Sequence, residues 1–261
     1  MERLRVRILG ISCGHRPGMN TAWLVRHALE AAEAFGRRVS EVAIVECDFE
    51  DLADKHIEPC RNCIHRHMPN RGQPYRGDRP PPEGCPIRDD YMARVVMPKM
   101  READGFIFGS PVYTLSFTSK FRLFAERLSP LVWSGALTNK PAAAVAVGEL
   151  PVAGQETCLE DINRIIRGGE MICVSWLMGA PGCSGPPHGP APWEEDYGRR
   201  VGVERDRYAR WLAVVNGRRV AEFAIMLKLA RRELGDLYRR EFIQVYHPPH
   251  GQEPWAWRSL P

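Results

Sequence analysis

The chain has 261 residues, of which 44% are hydrophobic and 26% charged, and its formal net charge is +4. This composition is typical of a soluble globular protein with one large α/β domain or at most two small domains. The positive charge is too weak to indicate nucleic-acid binding, and no apolar run approaches the roughly 20 residues of a membrane span. The N-terminal residues lead directly into an apolar run without a signal peptide, so we expect a cytoplasmic protein.

Apolar runs that predict strands alternate along the chain with patterns that predict helices. Strands are expected at 6–11, 39–45, 105–108, 142–147 and 171–174, and helices at 20–35, 90–100, 119–128, 158–166 and 204–240. Residues 178–193 are expected to form a loop, and Gly217 is expected to bend the last helix. Strands that alternate with helices predict an α/β fold with a parallel, doubly wound sheet.

The connection between the first strand and the first helix has the composition of a phosphate-binding loop. Ser12 ends the apolar run, glycines and Arg16 follow, and Asn20 and Thr21 open the helix. Free N–H groups and the helix dipole favour an anion at such a place. The loop lacks the lysine of a P-loop and the spacing of a dinucleotide fingerprint. It suits the phosphate of flavin mononucleotide (FMN) in a flavodoxin-like sheet, or else it is an ordinary connection in which Asn20 is the N-cap.

Three segments together resemble the NAD(P)H-dependent FMN reductase and iron–sulfur flavoprotein family. They are ISCGHRPGMNT (11–21), DGFIFGSPVY (104–113) and GQET (154–157), and they occur in the order of the family. Gly14 stands where the family usually has serine, which removes one hydroxyl from the phosphate loop. The resemblance covers residues 5–230. It implies a flavodoxin-like domain over residues 1–240 with a five-stranded sheet in the order 2-1-3-4-5, an inserted cysteine- and proline-rich segment at 47–88, and a C-terminal tail at 241–261.

The resemblance also implies FMN as cofactor, NAD(P)H as co-substrate, and a homodimer or homotetramer. The residues expected to bind FMN lie in the three loops at the carboxyl ends of the strands. They are Ser12, Gly14, Arg16, Gly18, Asn20 and Thr21 in the first loop, Ser110, Pro111, Val112 and Tyr113 in the second, and Gly148, Gly154, Gln155 and Glu156 in the third.

The cysteine segment resembles the cluster segment of iron–sulfur flavoproteins. Cys60, Cys63 and Cys85 match three of the four cluster ligands, and Arg66 occupies the position of the remaining one. Three interpretations stay open. The segment holds a [4Fe–4S] cluster with one unusual ligand, it holds thiols without a cluster, or it binds zinc through the three cysteines and a histidine. His65, His67 and Cys47 are candidates for the fourth ligand.

These features predict an FMN-dependent oxidoreductase that passes electrons from NAD(P)H or a protein donor to a quinone, a flavin or another small acceptor. No residue is required as a catalytic acid or base, because the flavin itself carries the redox chemistry. The alternative is a non-enzymatic electron carrier of the flavodoxin type, although a net charge of +4 lacks the acidic surface usual for such carriers. A flavodoxin-like protein without flavin is a third hypothesis, supported only by Gly14.

Overall fold

A computed structural model describes residues 2–61, 85–133, 135–191, 193–195 and 201–238. Seven strands lie in these ranges: β1 (Leu4–Ser12), β2 (Ala43–Asp51), β3 (Gly105–Tyr113), β4 (Ser116–Phe117), β5 (Pro141–Gly148), β6 (Ile172–Cys173) and β7 (Ala180–Cys183). The α-helices are α1 (Asn20–Arg38), α2 (Met97–Glu102), α3 (Ser119–Glu126), α4 (Ser129–Trp133), α5 (Gln155–Gly168) and α6 (Arg207–Leu234). The expected tail and most of the cysteine segment, including Cys63, His65 and His67, lie outside the described residues.

The strands form one sheet in the order β2-β1-β3-β5, with β6 and β7 both paired to the outer edge of β5. These pairs are parallel, and only the two-residue β4 runs antiparallel, next to the end of β3. The prediction of a doubly wound, flavodoxin-like sheet in the order 2-1-3-4-5 is therefore confirmed, with its fourth position taken by β5.

The fifth position differs from the prediction, because two short strands fill it. Residue Ile172 of β6 pairs with Pro141, at the start of β5, whereas Cys183 of β7 pairs with Gly148, at its end. The expectation of a loop over 178–193 is wrong at Ala180–Cys183. That segment has the sequence APGC. Proline and glycine disfavour a strand prediction from sequence, but both are tolerated in a strand at the edge of a sheet.

The bounds of two other elements, β2 and α6, also differ from the prediction, and local hydrogen bonds explain where they begin. Strand β2 begins at Ala43 rather than at residue 39, because the N–H of Val39 donates to the Gly36 carbonyl and the N–H of Val42 to that of Val39. The last helix begins after Asp206, whose Oδ1 accepts from the N–H groups of Tyr208 and Ala209, both at 3.0 Å. It runs to Leu234, helical residues follow Gly235 at 236–238, and the expected end at residue 240 lies outside the described residues.

The sheet separates two hydrophobic layers. One layer contains α2, α3 and α5, and the other contains α1 and α6. Helices α1 and α6 lie very close together at Gly217, where an added Cβ would lie 1.9 Å from the Ala28 carbonyl oxygen. Helix α6 continues through this position, so Gly217 permits close packing, and the expected bend stays a prediction. This arrangement leaves the carboxyl ends of β1, β3 and β5 side by side.

Candidate functional site

A cavity of about 420 Å³ lies at the carboxyl ends of β1, β3 and β5. It is formed by the three loops that the sequence predicts. Its lining includes nine of the predicted residues: Ser12, Gly14, Arg16, Asn20, Thr21, Pro111, Val112, Tyr113 and Gly148. The structure therefore brings most of the predicted set together.

The first loop is fixed from several sides before it reaches α1. The Cys13 N–H donates to the Gly109 carbonyl at 2.8 Å, and the Thr118 hydroxyl donates to the Cys13 carbonyl at 2.7 Å. Farther along, the Gly18 N–H donates to Asp51 Oδ2 at 2.8 Å. These bonds hold the loop at both ends, so its conformation is fixed by the sheet rather than by a ligand.

The start of α1 is an open anion site. Its N-cap is Met19, which makes no side-chain capping bond, and no acidic residue lies in the first turn. The alternative in which Asn20 is the N-cap is wrong, since Asn20 is the first helical residue and its Oδ1 accepts from the Val203 N–H at 3.0 Å. The first N–H groups of a helix have no partner within the helix and carry its positive dipole end. An anion at this place would satisfy them.

Ser12 adds a specific hydrogen-bonding group to this cavity. The residue is 1% exposed, it lines the cavity, and its hydroxyl has no hydrogen-bond partner among the described residues. A buried hydroxyl without a partner is costly in a folded protein, and a bound phosphate oxygen would remove that cost. The uncapped helix and the Ser12 hydroxyl together fit the phosphate of FMN.

Tyr113 forms part of the cavity rim. Its side chain is 46% exposed and stacks on the His15 ring, with the ring centroids 5.5 Å apart and the planes 14° from parallel. The turn that follows contains Thr114 and Leu115, both with positive φ. Such conformations are strained in residues other than glycine and concentrate at functional sites.

The third loop is held in place by Gln155. Its Oε1 accepts from the Ala153 N–H at 2.7 Å, and its Nε2 donates to the carbonyls of Leu150 at 2.7 Å and Gly182 at 3.3 Å. Gly154 has φ +96° and lies so close to the Leu115 backbone that a Cβ would meet the Leu115 Cα at 2.7 Å. Gln155 and Gly154 therefore determine the conformation of the third loop without lining the cavity.

Five predicted residues do not line the cavity: Gly18, Ser110, Gly154, Gln155 and Glu156. Ser110 is fully buried, and its hydroxyl accepts from the Thr118 N–H at 3.0 Å while donating to the Pro111 carbonyl at 2.9 Å. Glu156 is exposed in the first turn of α5. The sequence places these residues in the three loops that form the cavity, but it does not indicate which side chains point away from it.

Other lining residues are absent from the predicted set: His15, Met19, Ala22, Val147, Glu149, Ser184 and Pro190. His15, Met19, Ala22, Val147 and Glu149 are neighbours of predicted residues. Ser184 and Pro190 come from the segment after β7, and only recognition of that strand would have placed them here.

Cys13 is a packing residue rather than a reactive thiol. It is fully buried beneath the first loop, and burial raises its pKa well above the ordinary value for a cysteine. A thiol that stays protonated is a poor nucleophile.

Two described parts of the cysteine segment (47–88) meet at Arg127, which is 1% exposed and forms a buried ion pair with Asp90. In the first part, the Glu58 carbonyl accepts from the Arg127 guanidinium at 3.0 Å. In the second part, the Ile87 carbonyl accepts from it at 3.4 Å, and the Cys85 sulfur lies 3.9 Å away. Arg127 thus holds residues 58 and 85–87 of the segment close together.

No cluster of three or more metal-binding side chains occurs within the described ranges, which include Cys60 and Cys85 but not Cys63. Cys47 packs against α1, and its thiol donates to the Leu29 carbonyl at 3.5 Å. Arg127 extends from the other face of the sheet, whose core contains Phe124 and Leu128. This placement argues against Cys47 as a fourth ligand beside Cys85.

The family model for NADPH-dependent FMN reductase matches residues 6–175 of the chain. The chain belongs to this family. An iron–sulfur flavoprotein of Methanocaldococcus jannaschii is 36% identical over 169 residues, which cover 65% of this chain and 76% of that protein. The iron–sulfur flavoprotein of Methanosarcina thermophila is 29% identical over 170 residues, covering 65% of this chain and 77% of the relative.

Solved structures support the fold. The crystal structure of RosB with a bound 8-demethyl-8-formylriboflavin-5'-phosphate intermediate superposes with a TM-score of 0.56 at 17% identity, covering 90% of this chain and 87% of RosB. Membership of the family identifies the chain as an FMN-dependent oxidoreductase. No helix within the described residues is long and apolar enough to cross a membrane.

Proposed function

We propose that the protein binds FMN in the cavity at the ends of β1, β3 and β5 and transfers electrons from NAD(P)H, or from a protein donor, to a quinone, a free flavin or another small acceptor. The observation that carries the proposal is the Ser12 hydroxyl, which is buried beside the uncapped start of α1 and has no partner in the described part of the chain. When bound, FMN supplies the hydride and electron chemistry. The residues of this chain bind the cofactor, orient it and shield it from water.

Each loop has a separate task in this proposal. Ser12 and the first N–H groups of α1 hold the phosphate, and Arg16 adds positive charge beside it. The β3 end, from Pro111 to Tyr113, presents backbone groups and an aromatic ring to the isoalloxazine. Gln155 keeps the third loop against the cavity without touching the cofactor.

The first experiment compares FMN with riboflavin, which lacks the phosphate. We expect the purified protein to bind FMN far more tightly than riboflavin, because the phosphate supplies the charge-assisted hydrogen bonds. Equal affinities for the two flavins, or the absence of flavin binding, would overturn the assignment of the cavity. Flavin fluorescence quenching measures both affinities.

The second experiment measures steady-state oxidation of NADH and NADPH by the FMN-loaded protein, with menadione as acceptor. Turnover with either nucleotide supports an enzyme. Bound flavin that a chemical reductant reduces but neither nucleotide reduces would instead favour an electron carrier or a protein donor.

We also propose that the cysteine segment binds an iron–sulfur cluster through Cys60, Cys63 and Cys85. Two observations support this. Arg127 binds the Glu58 carbonyl and also lies beside the Cys85 sulfur, so it brings these two parts of the segment together. In addition, two relatives of the chain are named iron–sulfur flavoproteins. Iron, zinc and acid-labile sulfide are assayed on anaerobically purified protein. Loss of iron and sulfide in Cys60→Ser and Cys85→Ser, but not in Cys173→Ser, supports the cluster. Stoichiometric zinc, or no metal, would reject it.

A homodimer or homotetramer in the cytoplasm completes the proposal. Four apolar side chains on the second and third loops are at least 46% exposed: Tyr113, Leu115, Leu150 and Val152. Exposed apolar groups at the rim of a cavity favour coverage by another molecule, here a second copy of the chain. Analytical ultracentrifugation tests this, and a monomer at micromolar concentration would contradict it.

A further inference from the structure

Two aromatic rings at the mouth of the cavity formed by the ends of β1, β3 and β5 are stacked, although they belong to different loops. His15 lies between β1 and α1, and Tyr113 is the last residue of β3. The ring centroids are 5.5 Å apart and the ring planes are 14° from parallel. Both residues line the cavity and both are exposed. The stack therefore joins the first loop to the second where the cavity opens.

The backbone of Tyr113 is held in place independently of its ring. Tyr113 pairs with Ser116 of β4 across a turn in which Thr114 and Leu115 have positive φ. Its side chain is 46% exposed, and an exposed side chain has several staggered positions open to it. A ring 5.5 Å away lies in the range of attractive aromatic pairs, so His15 favours one of these positions.

His15 is itself supported on two sides. Two residues earlier, both backbone groups of Cys13 are hydrogen-bonded, which fixes the start of the loop. The Nε2 atom of His15 lies 3.4 Å from the Ser119 hydroxyl oxygen, at the start of α3. The imidazole thus contacts Tyr113 at its face and Ser119 at its edge. These contacts make it a fixed support for the Tyr113 ring.

We propose that His15 is a positioning residue for the flavin, because its ring holds the Tyr113 ring in the orientation from which Tyr113 packs against the isoalloxazine. The inference rests on the proposed function, in which Ser12 and the start of α1 hold the phosphate and the end of β3 faces the isoalloxazine. Ordering an exposed side chain during binding costs affinity. Since the stack orders Tyr113 beforehand, His15 increases the affinity for FMN through Tyr113.

A direct bond from His15 to the phosphate would give a different pattern of variants, because it requires an imidazole nitrogen. A phenylalanine ring can stack on Tyr113 but has no hydrogen-bonding group. His15→Phe therefore keeps the positioning role and removes the direct one, whereas His15→Ala removes both. His15 is exposed, so both variants are expected to fold.

The test is isothermal titration calorimetry of the flavin-free full chain with FMN. We expect His15→Ala to weaken binding about threefold to tenfold, the range that one aromatic pair supports, and His15→Phe to restore the wild-type affinity. In Tyr113→Ala the ring to be positioned is absent. Adding His15→Ala to that variant should cause no further loss, because residues that act through one contact do not have additive effects.

His27→Ala is the matched control. His27 makes the same kind of contact, a stack on Trp23 with the ring centroids 5.0 Å apart and the planes 19° from parallel. Neither His27 nor Trp23 is among the described residues that line the cavity. The FMN affinity of His27→Ala should therefore equal that of the wild type.

Three results would overturn the inference while leaving the proposed function intact. They are an affinity in His15→Phe as low as in His15→Ala, an undiminished effect of His15→Ala when it is added to Tyr113→Ala, and FMN binding that His15→Ala changes no more than His27→Ala does. A wild-type protein that binds no flavin would instead reject the proposed function, and this inference with it.

Discussion

At the scale of single residues, two serines in the same region of the molecule have opposite hydrogen-bonding states. Ser12 has a buried hydroxyl without a partner among the described residues, whereas the Ser110 hydroxyl both donates and accepts. The same substitution at these two positions therefore separates ligand binding from folding.

We expect Ser12→Ala to weaken FMN binding about tenfold, through loss of a hydrogen bond to a charged oxygen, without lowering the stability of the flavin-free protein. We expect Ser110→Ala to lower the free energy of unfolding by about 1–3 kcal/mol, because the buried Thr118 N–H loses its acceptor. Flavin titration and urea denaturation measure the two effects. A Ser12→Ala protein that binds FMN normally would contradict the assigned phosphate position.

The buried pair of Arg127 and Asp90 gives a second prediction. Arg127→Met leaves the Asp90 carboxylate buried without its cation, and we expect a loss of about 3–5 kcal/mol in unfolding free energy. Arg218→Met is the matched control, because Arg218 pairs with Glu222 on the helix surface, where such pairs contribute about 0–1 kcal/mol. Similar losses in the two variants, measured by chemical denaturation, would show that burial does not decide the effect.

Sequence reasoning identifies residues by their place in a motif, and this is why it selects Ser12 and Ser110 alike without distinguishing the states of their hydroxyls. Both serines end apolar runs at the same edge of the sheet. They differ because of Thr118, which lies eight residues after Ser110 and whose N–H donates to the Ser110 hydroxyl. A contact formed by a short turn between strands leaves no periodic signal in the sequence.

At the scale of elements, the helices and strands that are long and periodic are the ones that the sequence predicts. Helix α1 begins at Asn20 as expected, and β5 is an uninterrupted apolar strand. Strand β7 was missed because its four residues contain proline and glycine, and its stability comes from pairing with β5 rather than from local preference. The Asp90–Arg127 pair was missed because it joins residues distant in sequence.

The contact between α1 and α6 depends on the absence of a side chain at Gly217. We expect Gly217→Ala to destabilise the protein by about 1–3 kcal/mol, since the added methyl group would meet the Ala28 carbonyl and force the helices apart. At Gly168, the last residue of α5, a Cβ would meet nothing within 4 Å. Gly168→Ala should therefore be neutral or slightly stabilising through helix propensity. Thermal unfolding compares the two, and equal effects would contradict the packing role of Gly217.

At the scale of the whole molecule, two cavities lie at opposite ends of β5 and have different origins. One is the cavity lined by Gly148, and the other, of about 560 Å³, is lined by Lys140 and Arg231. The cavity proposed to bind FMN follows from the topology, since parallel strands end together there, and the three loops that form it can be read from the sequence. The second cavity depends on how the end of α6 packs against the start of β5, and nothing in the order of the elements along the chain indicates that contact. It was therefore not predicted.

Lys140 makes the stability of the protein depend on pH. Burial, opposed by Asp104 and reinforced by Arg231, Arg101 and Lys228, lowers its pKa to about 7, whereas in the unfolded chain it is about 10.4. Between these values the unfolded chain binds more protons at this site, so the contribution of Lys140 to stability rises with pH.

Lys140→Met should remove that rise. We expect the difference in unfolding free energy between wild type and variant to shift in favour of the wild type as the pH increases from about 7 to about 10. Urea denaturation at several pH values measures it. A difference that stays constant over this range would show that Lys140 is not depressed in the native protein.

The contacts of Arg127 also affect how much the length and sequence of the cysteine segment can change. Because one guanidinium binds the chain at Glu58 and again at Ile87, the ends of the intervening segment are held together by the flavin domain itself. The entropic cost of closing a loop grows only with the logarithm of its length, by about 0.6 kcal/mol for each doubling. Insertions, deletions and exchanges of sequence between these anchors therefore cost the rest of the fold little. The cysteine segment of such a protein can therefore evolve as a replaceable module while the sheet that carries it stays the same.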